Sequence, residues 1–208
     1  MPQGVRPLAI VLSLLLGATS AYSSEPLEFK GLRIGSAPEE LRAKYPELRC
    51  NDPKVKAAVE KGHFKDFWER KQTEADLFCA TVISERDPPT SLSDIAGHRA
   101  QSFDFNFVGA RLMRASTSLS SIAFDDVARG LTAKYGAPDK TDTEQLQNRM
   151  GATFTNVIHY WTRDGATLRL SKYSGSLDTA SYSLTSDEYW AEVERRRAER
   201  ARSSVKSL

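Results

Sequence analysis

The chain is poor in the residues that usually build metal and redox sites. It has 208 residues but only two cysteines and three histidines. His63, His98 and His159 are never three or four positions apart, so no helical metal-binding pair is encoded. Cys50 and Cys79 are too far apart for a Cys-x-x-Cys redox motif. We therefore expect no metal and no cofactor.

Local motifs of catalysis are missing as well. The sequence has no G-x-S-x-G nucleophile elbow and no glycine-rich phosphate loop. Asp125 and Asp126 are adjacent, but they lie at a predicted helix start, where carboxylates stabilise the helix dipole. We expect a protein that is not an enzyme. A hydrolase in which His159 or His98 meets a carboxylate and a serine remains the third hypothesis, because sites built from distant residues leave no local motif.

Long apolar segments are absent too. The longest run, residues 8–16, is much shorter than the roughly 20 residues that a membrane span needs. It follows Arg6 and precedes small residues at 19–21, the pattern of a secretory signal peptide cleaved near Ala21. We therefore predict an exported, periplasmic protein with no transmembrane segment.

The chain has no strong excess of charge. It carries 29 basic and 27 acidic residues. Residues 194–208 hold six basic and two acidic residues, so the rest lacks the basic footprint of a nucleic-acid-binding protein. We interpret residues 194–208 as a basic C-terminal tail, a solvated helix end. The alternative is a weak contact with anionic surfaces.

In an exported chain, two cysteines indicate one disulfide, here Cys50–Cys79. Closing a loop of about 30 residues stabilises the fold by about 3.6 kcal/mol in the chain-entropy description. The bridge would bracket an insertion at about residues 50–79. Phe64, Phe67 and Trp68 share one face of a short predicted helix there. They either pack the insertion onto the sheet or, if exposed, form part of a binding surface.

A self-match at a fixed spacing organises the rest of the chain. Residues 103–121 recur 65 positions later at 168–186, and LRAKYPEL at 41–48 is echoed by LTAKYGAP at 131–138. Alternating apolar residues predict strands, and capping residues predict a helix in each copy. The resulting prediction is an α+β fold of two tandem units. Each unit is one helix followed by antiparallel strands, and together they form a curved antiparallel sheet with helices on one face.

The boundaries follow from the repeat. We predict a signal peptide at 1–21, a first unit at 22–121, a second unit at 122–193 and the basic tail at 194–208. The helices are expected at about 36–45, with Ser36 and Glu39 as caps, and at about 125–135. Further strands are expected at 27–34, 78–83 and 154–162, and Asp164-Gly165 is expected to form a hairpin turn.

The apolar phase also predicts how the repeated strands pair. A shift of one residue would turn every buried side chain to the other face of the sheet. Burial therefore favours three-residue loops at 109–111 and 174–176. The expected pairs are Phe103 with Thr117, Phe105 with Ala115, Leu168 with Tyr182, Leu170 with Ala180, and Ala166 with Leu184.

These elements resemble a group of small exported proteins of Gram-negative bacteria. The shared motifs are FKGLRIG before a helix ending in KYP, the GARL hairpin, and LTAKYGAP leading to W-x-x-DG. The layout is similar to the β-lactamase inhibitory protein fold and, as a single unit, to the small lipoprotein of the outer-membrane barrel assembly machinery. The resemblance implies binding to other proteins through sheet faces or loops. The lipoprotein's anchoring cysteine has no counterpart here, and no inhibitor contact residues can be matched.

We therefore expect a monomeric, non-enzymatic binding or adaptor protein that recognises another envelope component, most simply a protein. The open sheet face would be the recognition surface, through side chains of opposite parity to the core. The candidates are Tyr160, Arg169 and Tyr173. The alternative is a small-molecule or lipid-binding protein, which would need a closed apolar cavity between sheet and helices.

Overall fold

The computed structural model describes residues 25–46, 48–50, 74–82, 90 and 92–205. Three α-helices lie in these ranges: α1 (Pro38–Lys44), α2 (Phe124–Tyr135) and α3 (Tyr189–Val205). The predicted signal peptide and the insertion residues His63, Phe64, Phe67 and Trp68 lie outside the described residues.

The strands form one large antiparallel sheet, which confirms the α+β class. Eight of them lie side by side in the order β1-β2-β4-β5-β9-β8-β7-β6, and β3 pairs with β4. Their bounds are β1 (Arg49–Cys50), β2 (Leu77–Val82), β3 (Asp94–Ile95), β4 (His98–Val108), β5 (Arg111–Ser120), β6 (Lys140–Gln147), β7 (Thr153–Arg163), β8 (Ala166–Ser171) and β9 (Thr179–Ser186).

The middle of the sheet is the antiparallel pair of β5 and β9. Thr117 lies opposite Tyr182, and these two residues are 65 positions apart. From this pair the sheet continues through β4 and β2 on one side and through β8 and β7 on the other. The central pairing is thus centred on one pair, Thr117 and Tyr182, that the 65-residue self-match equates.

Helices α1 and α2 cover one face of the sheet. The main core lies between these two helices and that face. Val127, Leu131 and Tyr135 form the predicted buried stripe of α2. Trp161 of β7 is fully buried, and its indole N–H donates to the carbonyl of Gly136 at 2.9 Å. This bond fixes the C-terminal end of α2 to the sheet. The first helix starts one residue later than expected, because Glu40 rather than Glu39 accepts the cap N–H, that of Ala37, at 2.9 Å.

The expected strand at 27–34 is wrong. Phe29 and Leu32 instead exchange two backbone hydrogen bonds, at 2.8 and 3.0 Å, around the turn residues Lys30 and Gly31. Both turn residues have positive φ, 54° and 72°. The turn lets both apolar side chains enter the core, where the Phe29 ring contacts three others. Those rings belong to Phe103, Phe105 and Tyr182.

The first repeated hairpin has the predicted pairs, Phe103 with Thr117 and Phe105 with Ala115. Its loop is one residue shorter than expected. Gly109 and Ala110 form a two-residue turn with φ of 56° and 58°, the geometry that suits tightly twisted hairpins. The residue left over is Met113, which lies in a β-bulge where the register shifts.

The pairing predicted for the second repeated hairpin is wrong by two residues. Leu168 lies opposite Leu184, although it stays on the core face because a shift of two preserves parity. The cause is Asn156 of β7, which is 3% exposed. Its Oδ1 accepts from the Tyr173 N–H at 2.8 Å and its Nδ2 donates to the Tyr173 carbonyl at 3.2 Å. This side chain extends the β7–β8 contact past Ser171, so the loop to β9 is longer. The observed partners of Leu170 and Ala166 are Tyr182 and Ser186.

The third helix packs on the opposite face of the sheet, so the expectation of helices on one face is wrong. Tyr189 and Val193 are fully buried and form a small cluster with Met113, separate from the main core. The bulge explains why α3 packs at this place, because it turns the apolar Met113 side chain towards a sheet face that is otherwise polar. Residues expected as a basic tail from 194 onwards continue this helix to Val205.

Cys50 and Cys79 face each other across β1 and β2, and the predicted disulfide joins them. The bridge ties the short edge strand β1 to β2. Within the described ranges, no helix is both long enough and apolar enough to cross a bilayer.

Candidate functional site

Ion pairs hold α3 on the sheet beside its small apolar cluster. Arg196 contacts Asp76 at 2.8 Å, and Arg197 contacts Glu74 at 3.4 Å. The buried Tyr189 hydroxyl donates to Glu74 at 3.3 Å. The helix is therefore fixed to the residues just before β2 as well as to the bulge.

These contacts shift the protonation of the groups involved. Hydrogen bonds from Arg195 and Arg196 lower the pKa of Glu192 to about 2. Hydrogen bonds from Arg196 and from the Gly109 N–H lower the pKa of Asp76. Burial raises the pKa of Tyr189 well above its ordinary value. Acid pH therefore removes carboxylate charges that anchor α3.

The arginine run of α3 is mostly neutralised within the helix and at its base. Arg195 pairs with Glu192 and Glu199, at 2.6 and 2.5 Å. Arg196 and Arg197 also pair within the helix, with Glu192 and Glu194. The run thus stabilises α3 and its docking, which weakens the alternative of attraction to anionic surfaces.

A groove of about 520 Å³ lies between α3 and the uncovered part of the same sheet face. We call it the α3 groove. Trp190, which is 55% exposed, comes from the first turn of the helix. The remaining lining residues come from the sheet and from the turn before α3: Arg114, Tyr160, Thr167, Arg169, Ser183, Thr185, Ser186 and Asp187.

The floor of the α3 groove contains two of the three sheet residues predicted from the sequence. Tyr160 of β7 lies directly opposite Arg169 of β8, and Arg169 lies opposite Ser183 of β9. Tyr160 also has the ammonium of Lys140 5.5 Å from its ring centroid. The structure therefore places an aromatic ring, a guanidinium and a hydroxyl in one row across three strands.

The two arginines of the groove differ in their partners. Arg114 contacts the Asp104 carboxylate at 3.1 Å, and that carboxylate also accepts from the Ser116 hydroxyl at 2.7 Å. Arg169 is half-buried, and within the described part of the chain no carboxylate pairs with it. One groove arginine is thus structural, and the other is available to a ligand.

Tyr173, the third predicted residue, lies elsewhere. It lines a second groove, of about 300 Å³, between the β6–β7 turn and the β8–β9 loop. Its backbone is fixed by Asn156, as described above. The structure therefore does not bring Tyr173 together with Tyr160 and Arg169.

The two histidines in the described ranges, His98 and His159, are in structural contacts. His159 is stacked on Phe124 at 5.4 Å between ring centroids, and its Nδ1 lies 2.8 Å from the Thr141 hydroxyl. Burial lowers the pKa of His159. His98 lies 2.6 Å from the Asp126 carboxylate. In the described ranges, neither ring is hydrogen-bonded to a serine hydroxyl, the contact that a hydrolase site would need.

Metal chemistry has no support in the described ranges either, since they hold no group of three or more histidine, cysteine, aspartate or glutamate residues suited to an ion. What the α3 groove offers is non-covalent recognition. Aromatic rings, a guanidinium and hydroxyls are suited to binding a polar ligand surface.

Comparisons of the chain with protein-family models, with curated proteins and with solved structures find no match in any of the three.

Sequence reasoning missed two members of the α3 groove, Trp190 and Arg114. The missed signal was Met113, an apolar residue out of phase in an alternating strand. It indicates a second buried patch, which another element of the chain must cover.

Proposed function

We propose that this protein is a non-enzymatic, exported binding or adaptor protein that recognises another protein of the cell envelope through the α3 groove. One observation carries the proposal. Trp190, Tyr160 and Arg169 lie in the same groove. Tryptophan, tyrosine and arginine are the residue types that contribute most to binding energy at protein interfaces.

The exposure of Trp190 supports this function. An indole that is 55% exposed leaves apolar area in water, which a partner would bury. Thr167, Ser183 and Thr185, which carry hydroxyl groups, line the same groove. An aromatic anchor with adaptable polar neighbours is the usual composition of a protein-binding surface.

The fold supports the proposal at a coarser level. We propose that the chain consists of two tandem helix-plus-strand units, because the β5–β9 pairing is centred on Thr117 and Tyr182, which are 65 positions apart. The proposal also includes export to the periplasm, directed by a signal peptide at 1–21. It further includes a monomeric state. The disulfide agrees with an oxidising compartment.

The small-molecule alternative has less support. Phe29, Phe103 and Trp161 fill the space between the sheet and helices α1 and α2, where a closed apolar cavity would have to lie. The α3 groove itself opens to solvent, and polar side chains line it beside Trp190 and Tyr160, so it is not a closed apolar cavity.

Site-specific photocrosslinking tests the function. A photoreactive amino acid replaces Trp190 in cells of the source organism, and the control replaces Ile122, which is 79% exposed and outside the groove. We expect a discrete crosslinked protein from position 190 only. The same products from both positions, or none from position 190 in folded protein, would refute the proposal.

A further inference from the structure

We infer that the segment recognised in the α3 groove carries an acidic side chain, whose carboxylate pairs with Arg169. This inference deepens the proposed function and rests on it. The occupant is a segment of a partner protein that carries one acidic residue at the position facing Arg169.

The first step concerns the state of Arg169. Ion pairs occupy the neighbouring arginines of this face: Arg114 by Asp104, Arg196 by Asp76, and Arg197 by Glu74. Arg169 is half-buried and, in the portion of the chain that the structure describes, has no such carboxylate. It is the groove cation left for an external anion.

The second step concerns its surroundings. Arg169 lies between Tyr160 on β7 and Ser183 on β9, and Trp190 lines the same groove. Aromatic neighbours limit the water around a guanidinium, which strengthens a hydrogen-bonded carboxylate pair. A planar guanidinium also suits bidentate binding of a carboxylate.

The third step concerns the distribution of charge along the segment. Asp187 lines the groove and accepts from the Thr167 hydroxyl at 3.2 Å. Thr167 is two residues along β8 from Arg169 and on the same face. A uniformly acidic ligand would meet Asp187 unfavourably. The segment should therefore place its carboxylate over Arg169 and an uncharged or basic residue towards Asp187.

A random heptapeptide library displayed on phage tests this inference, with the full-length folded protein as bait. Five baits are compared: wild type, Arg169→Gln, Arg169→Glu, Trp190→Ala and the control Arg129→Gln. The matched control is Arg129→Gln, which removes an exposed arginine on α2, on the other side of the sheet.

We expect wild type and Arg129→Gln to enrich peptides with one Asp or Glu, Arg169→Gln to lose that preference, and Arg169→Glu to prefer Lys or Arg. For an enriched peptide made synthetically, Glu→Gln should weaken binding about tenfold or more, since a charge-assisted hydrogen bond contributes about 1.5–3 kcal/mol. Arg169→Gln should weaken it by a similar factor.

The outcomes separate this inference from the proposed function. If wild type and Arg169→Gln enrich the same peptides and Trp190→Ala loses them, the groove binds peptides but the acidic preference is wrong. If wild type enriches no peptides other than those that Trp190→Ala also enriches, the groove does not recognise peptides. The proposed function and this inference then both fail.

Discussion

Replacing Val193 by aspartate should detach α3 from the sheet while leaving the main core folded. Val193 is fully buried against Met113 and Tyr189, and this cluster shares no residue with the main core. The substitution removes about 1.5–3 kcal/mol of side-chain burial and leaves a carboxylate without a partner, which costs about 3–5 kcal/mol more.

The remaining attachments of α3 are too weak to compensate. They are the Tyr189 side chain, which packs on Met113 and is hydrogen-bonded to Glu74, and partly exposed ion pairs of Arg196 and Arg197 with Asp76 and Glu74. Exposed pairs of this kind contribute at most about 1 kcal/mol each. We therefore expect the helix to detach from the sheet rather than to stay docked with a locally adjusted side chain.

Amide hydrogen exchange read by mass spectrometry measures the effect. In Val193→Asp, protection should fall in α3 and near the bulge at Met113, whereas β7 and β8 keep their protection. The matched control, Ala191→Asp, introduces the same charge at an exposed position two residues away and should resemble wild type. Loss of protection in β7 and β8 together with α3, or equal behaviour of the two variants, would refute the account of α3 as a separately docked element.

Three further results are expected. The pKa of Glu192 is about 2 instead of its ordinary 4.5, so its contribution is complete above pH 4.5 and is lost as pH falls from there towards 2. Cleavage of α3 by pepsin, which is active in this acid range, should rise as pH falls, and less so in Glu192→Gln. Asn156→Asp removes the donor to Tyr173 and should lower the free energy of unfolding by about 1–3 kcal/mol, measured by urea denaturation. Removing the disulfide by Cys50→Ala with Cys79→Ala should lower it by about 3.6 kcal/mol in the same assay.

Each of these has a control or a contrary result. Asn148 only accepts through its side-chain oxygen, from the N–H groups of Met150 and Ala152. Asn148→Asp keeps that acceptor, so it should change stability by less than about 0.5 kcal/mol. Equal losses in the two Asn→Asp variants would contradict the role of the Asn156 amide. A cysteine-free variant within 1 kcal/mol of wild type, or acid-induced cleavage unchanged in Glu192→Gln, would contradict the other two.

The parts of the fold that sequence predicted well are those where burial and a local turn agree. Asp164-Gly165 forms the expected hairpin, with φ of 51° and 73°, and Leu168 and Leu170 are fully buried. The disulfide followed from the cysteine count alone. These features depend on residues that are close in sequence or on a strong apolar period.

The parts that sequence did not predict depend on distant contacts. β6 (Lys140–Gln147) was missed because an exposed, polar edge strand carries little apolar alternation. The register of β8 with β9 depends on one amide, that of Asn156, fifteen or more residues away. The strand expected at 27–34 does not form, because Lys30 adopts positive φ in a turn. The residues around it have strand-like apolar spacing, so the sequence did not indicate this turn.

The candidate site was half predictable. Parity placed Tyr160 and Arg169 on the face opposite the main core, and strand pairing then put them side by side. Trp190 joined them only because α3 docks on that face, which depends on the bulge at Met113. The sheet face on which a helix docks cannot be predicted from the sequence of that helix alone.

The affinity of the crosslinked partner for groove variants tests the central claim most directly. Isothermal titration would compare wild type with Trp190→Ala in the α3 groove and with Met150→Ala, a 93% exposed side chain outside it. Loss of an interface anchor costs about 2 kcal/mol or more, so Trp190→Ala should weaken binding about thirtyfold. Met150→Ala should bind as wild type does. Equal affinities for wild type and Trp190→Ala would contradict the account.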